Sequence, residues 1–376
     1  MWGRAGKTWR LVYNPRSVLL IIPPTMTTNV GVFTNPKHDL YTAEIPDPGP
    51  PGPEEVTVHV IATGICGSDC HFQHDGAIGD AVVKGEHILG HESAGVVTKV
   101  GSNVQNLKVG DRVSMEPGTN CGVCEFCKTG AYNGCVEMEF KSTPPYPGLM
   151  CRYLNHPARL CYNIGHLSYE EGALLEPLSV GLAGVEQSGL KLGDPCVVAG
   201  AGPIGIITAL LAKASGAAPL AITDLNPARL KLAEEIIPGI LTVHLTREDS
   251  PEEAGRKIVA TIGQKARVAL ECTGFEPSIA ACLFALKFRG VCEIIGVGKD
   301  EIKIPFMHFS FNEMTIKGLF RYTNTWPRGI RLLQSGAIDV KKLVSFKYDI
   351  NDAQSAFKKA SDPHTTGIKT MVVDKE

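Results

Sequence analysis

Three glycines in the run AGAGPIGI, Gly200, Gly202 and Gly205, limit what this chain can fold into more than any other feature. The spacing GxGxxG is weak evidence alone, but here it follows an apolar, strand-like run at 196–199 and opens a helical run that ends near Gly216. In that setting Gly200 permits a tight turn, Gly202 lets the backbone approach a pyrophosphate, and Gly205 lets helix pack closely on strand. The free N–H groups and positive dipole at the helix start then face the phosphates. Asp224 ends the next strand, 19 residues beyond Gly205, where a carboxylate can bond the adenosine ribose hydroxyls and repel a 2′-phosphate. Leu225 offers no cation to such a phosphate, so NAD is expected rather than NADP, and Arg229 is placed to stack on adenine.

The pattern around this motif divides the chain. LSVGLAGVEQSG, IGIITALLAKASG, ARLKLAEEI and IAACLFALKFRG read as helices, while CVVAG, PLAITD, ARVALECTG and VCEIIGVG read as strands. Such alternation predicts βαβ units and a parallel sheet. Earlier segments, VTVHVIATG, SAGVVTKVG and DRVSM, are strand-like, and the proline-rich stretch 46–53 must be a loop because proline cannot donate to a sheet ladder. The expected architecture is α/β: a β-rich domain of residues 26–178 and 320–376 enclosing a Rossmann domain of residues 179–319. A chain of 376 residues is long enough for each domain to bury its own core.

Composition excludes some functions. With 44% apolar residues, 20% charged residues and a net charge of -2, nothing points to nucleic acid or membrane. The apolar run 18–22 is closed by Pro23 and Pro24 and falls far short of the ~20 residues a membrane helix needs. Residues 1–25 carry Arg4, Lys7, Arg10 and Arg16 with no acidic residue before Asp39, a charge pattern like a mitochondrial presequence. They make a poor amphipathic helix, and Met26 reads as a natural start, so they are expected to be an extension outside the fold of a cytoplasmic protein.

Cys121, Cys124, Cys127 and Cys135 crowd four of the twelve cysteines into fifteen residues. Four thiolates complete a tetrahedral zinc with no open position, which marks a structural site. An iron-sulfur cluster competes with this reading, but the bacterial ferredoxin run closes on Cys-Pro after three residues, whereas here seven intervene and Val136 follows. A second set, Cys66 in GICGSDCH, His91 and Glu92 in GHE, and Glu176 in LLEP, is scattered and mixed in type, as expected where an open catalytic zinc gathers ligands from several loops.

GICGSD, GHE, the four-cysteine lobe, GAGPIG and FRYTNTW, in that order, resemble the medium-chain zinc-dependent alcohol dehydrogenases from about Val30 onward. ICGSDCHF, KSTPPYPG, LEPLSV, GVGK and FRYTNTWP are most similar to the polyol branch, which includes sorbitol, xylitol and L-arabinitol dehydrogenases. The resemblance implies a GroES-like fold for the β-rich domain, two zinc ions and NAD for each chain, and a homotetramer. It makes Cys66 and His91 constant zinc ligands, with Glu92 and Glu176 completing the shell and either carboxylate bound at rest. Ile204, Val297, Phe320 and Tyr322 join the cofactor set, and Phe72, Glu176, Arg321 and Tyr322 the substrate set.

The expected reaction is oxidation of a secondary hydroxyl of a sugar alcohol to the ketose, with L-arabinitol first among substrates and sorbitol, xylitol or galactitol as alternatives. Zinc supplies the Lewis acidity, while the relay implied by the resemblance has Ser68 take the hydroxyl proton and His71 pass it to solvent via the cofactor ribose. A binding-only protein on the same fold has no reason to keep Cys66, Ser68, His71, His91, Glu92 and Glu176 together. Gln73 and Ala81 depart from what is usual in the branch, and Phe320 is similar to the sorbitol dehydrogenases rather than to the arabinitol enzymes, which have tyrosine there; all three bear on which polyol is used.

Overall fold

The strand Cys196–Ala199 carries no charged side chain and all four residues are buried, as a strand covered on both faces must be. It lies inside a six-stranded sheet. The order is Leu241–His244, Leu220–Asp224, Cys196–Ala199, Ala266–Glu271, Leu286–Ile294 and Thr315–Gly318, with every pair parallel. Side chains alternate between two cores: Cys196 and Val198 pack with Ile206 and Ile207, while Val197 and Ala199 pack with Leu283 and Leu286. The computed structural model describes residues 28–362 and 365–375, so the expected extension at 1–25 lies outside the described residues.

One helix is shorter than its sequence suggests. The run IAACLFALKFRG is helical only to Ala285; Leu286 already pairs with Ala266, and the strand continues to Ile294. A Cβ at Gly290 would stand 2.9 Å from that of Leu286, and Arg289 adopts φ 60, so the chain folds back sharply where a helix would run on.

The β-rich part is built from both sides of the Rossmann sequence. Its seven-stranded sheet runs Cys161–Asn163, Arg112–Met115, Glu92–Val100, Glu55–Gly64, Lys369–Val373, Val344–Asp349, with Tyr153–Pro157 paired to Glu55–Gly64. Buried Asp374 accepts from Arg152 at 2.7 Å and lies 3.0 Å from His59, which fixes this late strand to the earlier ones. The helix Leu175–Ser188 links the two parts and packs on Pro203–Ala214. Gly181 makes that approach possible, since a Cβ there would meet Ile207 and Leu211 at 3.1 Å.

Glu293 is an apolar-sheet anomaly. It is fully buried, neither carboxylate oxygen has a hydrogen-bond partner among the described residues, and its register partner on the edge strand is Lys317. Burial pushes its carboxyl up to about 7, against the pull of Lys317. The folded form therefore prefers the neutral acid: no penalty exists below the ordinary carboxyl range, and stability is lost as pH rises from there to about 7. Glu293→Gln is expected to melt progressively higher than the parent between pH 5 and pH 7.5, with the gap constant above that, by scanning calorimetry. A gap independent of pH would show that the carboxylate is solvated in the fold.

Candidate active site and metal centres

The segment Gly64 to Asp69 turns from strand to helix, and Cys66 is the N-cap of the helix Gly67–His74. Asp69, at the third helical position, closes a capping box by accepting from Cys66 N at 3.0 Å. Its other oxygen accepts from Gly90 N at 3.0 Å and from Ser142 Oγ at 2.8 Å, and lies 3.4 Å from His91 Nδ1. Despite full burial, His91, Cys66 N and Ser142 hold the Asp69 carboxyl below its ordinary range. One buried carboxylate thus ties the Cys66 turn to the Gly90–His91 turn, and occupying Nδ1 leaves Nε2 of His91 free to ligate.

Cys66, His91 and Glu92 bring one donor atom each within 4.8 Å of one another. A thiol, an imidazole and a carboxylate converging in a buried spot fit a zinc with an open position. Glu176 lies in the first turn of its helix, outside this trio, and is 5% exposed. Burial pushes it up to about 7 against the attraction of His91, with Glu92 adding repulsion. Among the described residues, the carboxylate that converges with Cys66 and His91 is that of Glu92. Glu92 itself is paired: Lys369 Nζ lies 2.7 Å from each of its oxygens and also donates to Ile65 O at 3.1 Å. Both residues are almost fully buried.

The four lobe cysteines also converge, with donor atoms within 4.8 Å of one another. Sulfur separations of 3.6 Å (Cys135 to Cys121) and 3.9 Å (Cys121 to Cys127) are non-bonded, and all twelve cysteines are free. Backbone N–H groups of Val123 and Cys124 lower the Cys121 thiol to about 7, favouring the thiolate a metal needs. The residues fit a closed tetrahedral zinc site.

This lobe is docked on the loop that holds the expected substrate residues. Asn133 Nδ2 donates to Phe320 O at 2.7 Å, Asn324 N to Tyr132 Oη at 2.9 Å, and Asn324 Nδ2 to Gly130 O at 3.3 Å. Tyr132 in turn donates to buried Glu116 at 2.7 Å. The loop is strained, with φ 57 at Arg321 and 53 at Asn324, so these bonds hold a conformation the chain would not choose alone. Arg321 lies over the Phe140 ring at 3.8 Å, and the Tyr322 hydroxyl is buried beside the Glu176 carboxyl. Phe72, expected as a pocket wall, is 3% exposed among Ile65, Val83 and Leu89 and edge-on to His87; it is a core residue here. Ser68 stands beside Cys66 in the helix's first turn, and the side chain of His71 is exposed, its Nδ1 2.7 Å from Asp75.

At the Gly-rich turn, Gly200 has φ 95, and a Cβ on Gly205 would stand 1.7 Å from Gly200 O, so the third glycine serves helix-strand packing. Around Gly202 no atom lies within 4 Å of a Cβ position, which leaves the approach open above the start of the helix Pro203–Ala214. Ile204 sits half-buried in that helix's first turn. Asp224 accepts from Ala201 N and Asn226 N, both at 2.7 Å, and so stands against this turn. Arg229 Nε is buried without a hydrogen-bond partner among the described residues. Leu225, Val297 and Phe320 are exposed apolar residues that follow the carboxyl ends of three parallel strands, on the side where such sheets bind ligands. Sequence reasoning missed Asp69 and Lys369. The capping-box spacing made Asp69 findable; nothing local marks Lys369, 277 residues from Glu92.

Residues 52–166 match the alcohol dehydrogenase GroES-like domain and residues 203–335 the zinc-binding dehydrogenase family. The chain is 51% identical to the L-arabinitol 4-dehydrogenase of Aureobasidium melanogenum, covering 94% of this chain and 98% of that one. It is 43% identical to human sorbitol dehydrogenase over 88% of this chain and 92% of that one. The crystal structure of 2R,3R-butanediol dehydrogenase from Bacillus subtilis superposes with a TM-score of 0.83 at 29% identity, covering 93% of this chain and all of that one. No helix among the described residues is long and apolar enough to cross a membrane. The chain belongs to the medium-chain zinc-dependent alcohol dehydrogenase family, in its polyol branch.

Proposed function

We propose that this protein oxidises a secondary hydroxyl of a sugar alcohol to the ketose, with NAD as hydride acceptor and L-arabinitol as the first substrate to test. The observation that carries this reading is the convergence of Cys66, His91 and Glu92 beside Glu176 and the buried Tyr322 hydroxyl. Cys66, His91 and Glu92 would hold the catalytic zinc, with Glu176 within reach to exchange for Glu92, and the lobe cysteines a second, structural one. When bound, zinc supplies the Lewis acidity that brings a substrate hydroxyl pKa toward neutrality. Ser68 takes the proton, and His71, exposed on the same helix, hands it to water. Glu176, Arg321 and Tyr322 bond the neighbouring hydroxyls; a monohydric alcohol would leave them unpaired in a buried site, which selects for polyols.

NAD is favoured because Asp224 places a carboxylate against the Gly-rich turn and Leu225 supplies no cation. Sorbitol, xylitol and galactitol are the alternative substrates, with Gln73, Ala81 and Phe320 bearing on the choice. A tetramer is supported by the edge strand Thr315–Gly318, paired on one side only among the described residues, and, near it, the exposed Phe306, Met307 and Phe311. Free thiols throughout favour a reducing compartment such as the cytoplasm.

Initial rates with L-arabinitol, xylitol, D-sorbitol and galactitol, each with NAD and NADP, test the reading. Turnover of simple primary alcohols alone would overturn the polyol assignment. Ser68→Ala is expected to lose well over about tenfold in kcat with zinc content unchanged; near-parental turnover would remove Ser68 from the proton path.

A further inference from the structure

Glu271 ends the strand next to the Gly-rich turn, is fully buried, and takes no part in the chemistry above. Its carboxylate accepts from Thr273 N at 2.9 Å, Gly274 N at 2.8 Å, Ser278 Oγ at 2.8 Å and the Thr273 hydroxyl. Its main-chain carbonyl accepts from Ile295 N at 2.7 Å and Gly296 N at 3.0 Å, while the next amide, Cys272 N, donates to Ala199 O at 2.9 Å. Three segments at the carboxyl edge of the sheet, after residues 199, 271 and 294, are thus tied at two adjacent residues, Glu271 and Cys272.

The segments touch backbone to backbone. A Cβ on Gly296 would lie 2.1 Å from Gly274 N, one on Gly274 2.2 Å from Val297 O, and one on Gly200 2.7 Å from the Thr273 methyl. Here the surface is apolar and open: Phe275 is 71% and Val297 83% exposed, though each is flanked by a tightly bonded turn. Exposed apolar side chains on rigid turns mark a face kept for a flat ligand.

The sheet order says which part of a dinucleotide would meet this face. Asp224, the ribose carboxylate, lies on one side of the central strand Cys196–Ala199, and the strands followed by Phe275 and Val297 lie on the other. A dinucleotide crossing the sheet edge with its adenosine at Asp224 puts its nicotinamide half over residues 273–275 and 295–298.

We propose that Glu271 is a positioning residue for the nicotinamide half of the cofactor: its carboxylate sets the turn Thr273–Phe275, and through it the wall formed with Val297, without touching the reacting atoms. The inference rests on the dinucleotide reading above. Every group bonded to the carboxylate is a donor, so a glutamine turns an N–H toward either Gly274 N or the Thr273 and Ser278 donors, and the turn must shift. A shift of this kind misplaces the nicotinamide but leaves the Asp224 side alone.

The test compares NAD with ADP-ribose, which lacks the nicotinamide ring, by calorimetric titration of the zinc-loaded protein and its Glu271→Gln variant. Affinity for NAD is expected to fall about tenfold or more, with KM for NAD rising and KM for polyol at saturating NAD unchanged, while ADP-ribose affinity stays at the parental value. Equal loss for both ligands would reduce Glu271 to a structural role, and unchanged NAD affinity would overturn the proposal. If Glu271→Gln does not fold, Thr273→Val, which keeps the methyl and removes one donor, is expected to shift the NAD to ADP-ribose ratio in the same direction; an unchanged ratio counts against the proposal. Should the parent bind neither ligand, the dinucleotide reading falls first and this inference with it.

Discussion

Replacing Lys369 by methionine is expected to destabilise the protein by about 3–5 kcal/mol, because it strands the Glu92 carboxylate, 1% exposed, without its cation. Urea unfolding of the metal-free protein reads this directly, since a bound ion would partly replace the lost charge. Lys369→Met combined with Glu92→Gln should regain much of the loss, as no unpaired charge then remains. A loss below about 1 kcal/mol for the single variant would mean that water, rather than Lys369, balances Glu92.

Asp69→Asn is the second large effect. The amide keeps the shape but cannot accept from both Cys66 N on one oxygen and Gly90 N and Ser142 on the other. Zinc affinity at the Cys66 cluster is expected to fall about 10–100-fold, while the lobe, which Asp69 does not touch, keeps its ion. Zinc retained during timed exposure to a chelator should then drop from two to one per chain in the variant before the parent loses any. Loss of both ions together would indicate a general failure to fold rather than a weakened support for His91.

The fold was legible where the pattern was local. The glycine turn, the alternation from Leu175 to Ile294 and the cysteine lobe each depend on residues close in sequence, and each stands where the residues imply. The helix stop at Ala285 was not, since LKFRG carries helix-compatible residues and only pairing with Ala266 decides it. In the candidate site, Cys66, His91 and Glu92 come together as the motifs suggest, whereas Phe72 lies in the core because its neighbours on the other segments, Val83 and Leu89, are apolar. Lys369 lay beyond sequence reasoning: a lysine in a strand reads as solvated until the sheet shows Gly64 opposite Met371 and the ammonium over Glu92. Nothing in TNTW reveals that Asn324 reaches back to Gly130 in the lobe.

The interleaving of the two sheets carries a consequence for how the molecule is made. All six strands of the parallel sheet come from one uninterrupted stretch, Leu220 being the second to leave the ribosome and Thr315 opening the last. That stretch can close while translation continues. The mixed sheet cannot, because Lys369–Val373 must insert between Glu55–Gly64 and Val344–Asp349. During synthesis the early strands therefore wait with the free edge of Glu55–Gly64 beside Cys66, His91 and Glu92, and the lysine paired with Glu92 arrives with the strand that covers that edge. Final closure of the sheet and electrostatic completion of the metal pocket are a single event, so a nascent chain stalled before Lys369 would hold a finished nucleotide fold beside thiol and carboxylate ligands that are not yet a site.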